Sequence, residues 1–126
     1  MRFMMIMIPG HRDEADWTPS AEAVAAMSKF NDALTKAGAL LALDGLHPSS
    51  KGARVSFAGG RGTVTDGPFT EAKEIVGGYW LIQAKSKEEA VEWASRAPAA
   101  DGDVIEVRQV YEMSDFPPEV QAAAGA

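Results

Sequence analysis

The segment Phe3-Met4-Met5-Ile6-Met7-Ile8 is apolar on both parities. A strand alternates its side chains between two faces, so a run with no polar parity must be covered on both sides. That requirement excludes a sheet with one wet face here and points to a central strand in a layered molecule. The run is too short to cross a bilayer, and no cleavage pattern of a secretory signal accompanies it. Pro9-Gly10 ends the strand, and a polar loop from His11 to Asp16 closes on Trp17.

The rest of the chain supplies the layers. Thr18-Pro19 reads as a helix start, with Thr18 as N-cap and Pro19 at the first helical position. Ala23, Met27, Phe30, Leu34 and Ala37 recur at helical spacing as one apolar stripe, and Gly38 is the expected left-handed stop. Strand candidates follow at Ala39 to Leu46, broken by Asp44-Gly45, and at Arg54 to Ala58. The Gly59-Gly60-Arg61-Gly62 turn joins the latter to Thr63-Val64-Thr65 as a hairpin. Val76 to Gln83 is the strongest strand of the second half. Ser86 and Glu89 match a capping box for a helix that buries Ala90, Trp93 and Ala94 and stops at Pro98. Val104 to Tyr111 alternates, with Ile105, Val107 and Tyr111 on one face and Glu106 with Arg108 on the other.

Strand, helix, strand, hairpin, strand, helix, strand is an α+β order: a ferredoxin-like split βαβ with an extra hairpin. Helices cover only one face of such a sheet. The doubly apolar strands 3–8 and 76–83 therefore predict a homodimer with facing sheets, an assembly of the dimeric α/β-barrel type. Residues 1–116 form the expected single domain, and 117–126 a small-residue tail.

Charge and composition narrow the function. The net charge is −6, and no Lys/Arg run offers the basic face that neutralising nucleic-acid phosphates requires. The absence of cysteine removes disulfides, thiolate metal sites and cysteine nucleophiles, and fits a cytoplasmic protein. No phosphate loop, dinucleotide fingerprint, His-x-x-x-His pair or Gly-x-Ser-x-Gly elbow is present, so no cofactor and no metal are expected.

Immediately before the second apolar strand stands Asp66-Gly67-Pro68-Phe69-Thr70-Glu71-Ala72-Lys73-Glu74, which gathers four charged side chains around a Gly-Pro turn and one aromatic. Asp66 reads either as a general base or ligand acceptor or as the side chain of an Asx turn. Gly67 supplies a bend that a Cβ would obstruct, and Pro68 stiffens it. Lys73 and Glu74 are candidates to anchor an anionic ligand or to tune Asp66, and Phe69 and Tyr79 to wall a pocket. Gly77-Gly78 leaves backbone open to a ligand. His47, at the end of the second strand, is the histidine freest to meet Asp66; His11 reads as exposed.

This signature, with Gly77-Gly78-Tyr79, the Glu89-Ala90…Glu92-Trp93-Ala94 helix and Glu106-Val107-Arg108, resembles the YCII-related (DGPF) family over nearly the whole chain. The resemblance implies small bacterial ferredoxin-like dimers whose reaction is mostly unassigned. Relatives that act as enzymes use a His–Asp pair, with dehydrochlorinase-type elimination as the nearest described activity, and their histidine comes from the first helix. The first helix here contains none, so that pair has no counterpart at its usual place, and His47 is a candidate substitute from another element. The resemblance thus implies either cofactor-independent proton transfer or elimination on a small molecule, or a non-catalytic ligand-sensing module associated with an extracytoplasmic-function sigma factor.

Overall fold

The computed structural model describes residues 1–10, 14, 18–69 and 74–125. Its elements are β1 (Arg2–Ile8), α1 (Ala21–Lys36), β2 (Leu40–Gly45), β3 (Ala53–Ala58), β4 (Arg61–Asp66), β5 (Gly78–Gln83), α2 (Lys87–Ser95), β6 (Val104–Gln109) and α3 (Pro118–Ala123). The main sheet has the order β2-β5-β1-β6 with every neighbouring pair antiparallel, and β3-β4 form a separate two-stranded ribbon. Without the ribbon this is the split βαβ order of a ferredoxin-like fold.

Strand register decides which residues meet the helices. Met5 lies between Trp80 and Val107, and Phe3 lies opposite Ile82. These residues join Phe30 and Leu34 of α1 and Ala90 and Trp93 of α2 in one buried cluster. Phe30 meets the rings of both Trp80 and Trp93 edge-on, at centroid distances of 5.7 and 6.5 Å. The other parity of the sheet carries Met4, Ile6, Ile8, Tyr79 and Leu81, all half-buried. Neither α1 nor α2 covers that face, because their buried residues pack with the opposite parity.

Local signals explain most boundaries. Helix α1 starts later than the Thr18-Pro19 pair predicts. The cap is Ser20, whose hydroxyl accepts from the Ala23 N–H at 3.1 Å. Its end is as expected: Gly38 takes φ +70°, and the Ala39 N–H returns to the Leu34 carbonyl at 2.9 Å. Ser86 caps α2 by accepting from the Glu89 N–H, but the Glu89 carboxylate reaches past the cap to the Lys85 N–H at 3.3 Å. Asp44-Gly45 does not break β2; its irregularity lies between Leu40 and Ala42. The ribbon turns at Gly59-Gly60, both at positive φ, as a two-residue hairpin demands. The segment after β6 is fastened to β1 by Arg2, which donates to both carboxylate oxygens of Glu112. That bidentate pair holds the Glu112 carboxyl below its ordinary range.

Candidate functional site

The signature is built into a three-segment clasp. Asp66 is the last residue of β4, paired with Ala53, and its carboxylate is exposed. The Gly67 N–H then donates to the Gly52 carbonyl at 2.9 Å. The Gly67–Pro68 peptide is cis. Phe69 donates its N–H to Ser49 Oγ at 3.0 Å. Ser49, only 7% exposed, passes the connection on: its hydroxyl donates to one Glu14 carboxylate oxygen at 2.5 Å and its N–H to the other at 2.8 Å. Arg54 of β3 lies over the Phe69 ring at 4.2 Å.

The same arrangement leaves no room for a side chain at Gly67. A Cβ there would collide with the Ser49 carbonyl group. The obstruction expected of a side chain at this bend is real, and the obstructing group is the neighbouring chain. The Asx-turn reading of Asp66 fails for a simple reason. The residue two positions on is Pro68, which has no N–H to donate.

Among the described residues no hydrogen bond or ion pair joins His47 to Asp66, and both side chains are exposed. Asp66 ends a ribbon strand, while His47 lies before the turn at Ser49–Lys51. Glu74 is exposed. Lys73, like His11 and Trp17, lies outside the described residues. Phe69 and Tyr79 have different partners. Phe69 packs under Arg54, whereas the Tyr79 hydroxyl crosses from β5 to β2 and donates to Asp44 Oδ2 at 2.8 Å. That bond raises the Tyr79 phenol above its ordinary value. The space beside Gly78 is taken by β2, since a Cβ would meet the Asp44 carbonyl at 2.9 Å. No group of three or more potential metal ligands occurs among the described residues.

A groove of about 740 Å³ opens elsewhere, where β1 ends beneath the N-terminal half of α1. Met7, Ala23, Met27, Leu46 and Pro98 give it apolar walls, and Asn31 is among its polar residues. Asn31 is held from behind: its Oδ1 accepts from the indole N–H of Trp80 at 2.9 Å. One side is closed by Asp103, which receives the N–H of Gly10 and that of Ala100, both at 2.9 Å. Size and lining are those of a small-molecule site. Asp66 to Phe69 are not part of its lining.

Glu14, Ser49 and Asn31 carried no signal in the sequence. Each acts through a partner 20 to 49 positions away, and no local spacing announces such a bond.

The sequence model of the YCII-related domain matches residues 1–114, and the chain belongs to that family. No curated protein matches it. No helix among the described residues is long and apolar enough to cross a membrane.

Proposed function

We propose that this member of the YCII-related family is a small-molecule-binding protein whose ligand lies in the groove between α1 and the end of β1. The observation that carries this reading is a cavity of suitable size whose polar Asn31 is held by a buried indole. The signature serves the site from a distance. By holding Ser49 and Gly52 it fixes the far end of the loop whose first residue, Leu46, walls the groove. A reaction is not part of the proposal, because Asp66 and His47 are both exposed and unpaired among the described residues. A cytoplasmic location and a second copy over the open sheet face complete the reading.

The test fills the groove. Ala23 lines it on an exposed helix position, so Ala23→Trp should fold normally while occupying the space. A thermal-shift screen of small apolar and amphipathic compounds is run on both proteins. A ligand at a hundred times its Kd contributes about 2.7 kcal/mol to the folded state, a rise of several degrees. Compounds that stabilise the parent should lose their effect in Ala23→Trp. Hits that stabilise both proteins equally would refute the groove as the site.

A further inference from the structure

Asn31 is the only asparagine in the chain. It stands on the inner side of α1, bonded to Trp80, which is 5% exposed, and it borders the groove. An indole nitrogen can only donate, so the atom it meets must be the amide oxygen. This fixes the flip of the amide. The Nδ2 group, with two hydrogens to give, has no acceptor among the described residues. Satisfying Trp80 alone would need only an acceptor, which a serine, threonine or carboxylate also provides. An amide adds a donor pair on the side away from the indole. The groove that Asn31 borders is also lined by the apolar side chains of Met7, Ala23, Met27 and Leu46, where competition from bulk water is reduced.

From this geometry we propose that Asn31 is a ligand-recognition residue, and that the groove takes a molecule with an apolar body and one carbonyl-type oxygen that accepts from Asn31 Nδ2. The Trp80 indole is the positioning partner: it touches no ligand but sets which end of the amide the ligand meets. The inference rests on the groove being the ligand site.

The experiment uses acetophenone and ethylbenzene, which have nearly the same shape and differ in the carbonyl oxygen. NMR follows the methyl signals of Met7 and Met27, which report occupancy of the groove, and the side-chain amide pair of Asn31. That pair is assigned as the one lost in Asn31→Asp. Both probes should move the Met27 methyl. Only acetophenone should move the Asn31 amide, and it should bind the parent at least about threefold more tightly, the scale of one neutral hydrogen bond. Asn31→Asp keeps an acceptor for Trp80, so its indole N–H signal should stay near the parent position, but the variant has no donor to offer. The preference for acetophenone should vanish in it.

If both probes move Met27 with equal affinity and the Asn31 amide stays still, the inference falls and the groove survives. If neither probe moves Met27 at any soluble concentration, the groove and the inference fall together. A preference for acetophenone that persists in Asn31→Asp also overturns the role of Asn31.

Discussion

Gly67 shows how one missing side chain can organise three loops. Its Cα lies so near the Ser49 carbonyl that a methyl group would collide with backbone rather than with a movable side-chain tip. Relief requires shifting the turn whose Ser49 holds both Glu14 and Phe69. Gly67→Ala should therefore destabilise the protein by about 3 kcal/mol, the upper part of the range for overpacking, lowering the melting temperature by roughly 10 °C for a chain of this size. Gly45→Ala is the control, because no heavy atom lies within 4 Å of its Cβ position. Equal melting temperatures for the two variants would show that the clasp is not rigid in solution. The need for glycine at 67 was legible in the sequence, but its reason was not. A Gly-Pro turn announces a bend, whereas the atom that forbids a Cβ belongs to Ser49, brought there only by tertiary folding.

Elements that carry their signal in periodicity were readable, and those that depend on pairing were not. The stripe through Phe30 and Leu34 and the doubly apolar β1 defined the core, because burial imposes a period that composition must satisfy. The start of α1 was misread because Thr18 and Ser20 are both competent caps, and only the bond to the Ala23 N–H decides between them. Nothing in the sequence announces that strand pairing puts Tyr79 opposite Asp44, where it links β5 to β2. This cross-strand bond has a pH signature. Only the protonated phenol can donate to the carboxylate, and a phenolate would face a like charge, so the Tyr79 pKa is raised. A raised folded-state value means the bond contributes fully below the unfolded value near 10 and is lost as pH climbs through the folded one. The phenol that disappears from the absorbance titration in Tyr79→Phe should titrate late in the parent and return toward its ordinary value in Asp44→Asn. Alkaline unfolding of Asp44→Asn should also begin at lower pH. An unchanged titration in Asp44→Asn would mean that the strands are not linked this way in solution.

At the scale of the whole molecule, two apolar surfaces are not covered by α1 or α2. One is the sheet parity of Met4, Ile6, Ile8 and Leu81. The other is the ribbon face where Val55 pairs with Val64 beside Phe57, which is 78% exposed. An isolated two-stranded ribbon is marginal in water, and contiguous exposed apolar area marks an interaction surface. The stretch from Lys51 to Thr65 also carries three cations, Lys51, Arg54 and Arg61, and no carboxylate, in a chain of net charge −6. A second copy offers both the apolar cover and the opposite charge that such an arm favours. The homodimer proposed above should appear in sedimentation at micromolar concentration. Ile6→Glu puts a carboxylate in the middle of the open face while leaving the buried cluster of Phe3, Met5, Trp80 and Ile82 intact. It should yield a folded monomer, with the helical circular-dichroism signal retained and association weakened by at least about a hundredfold, as burying an unpaired charge entails. Phe57→Ser then separates the two surfaces: weakened association places the ribbon in the interface, and unchanged association confines the interface to the sheet. A parent that sediments as a monomer at tens of micromolar would end the dimer proposal, leaving the open face of β1 in need of some other cover.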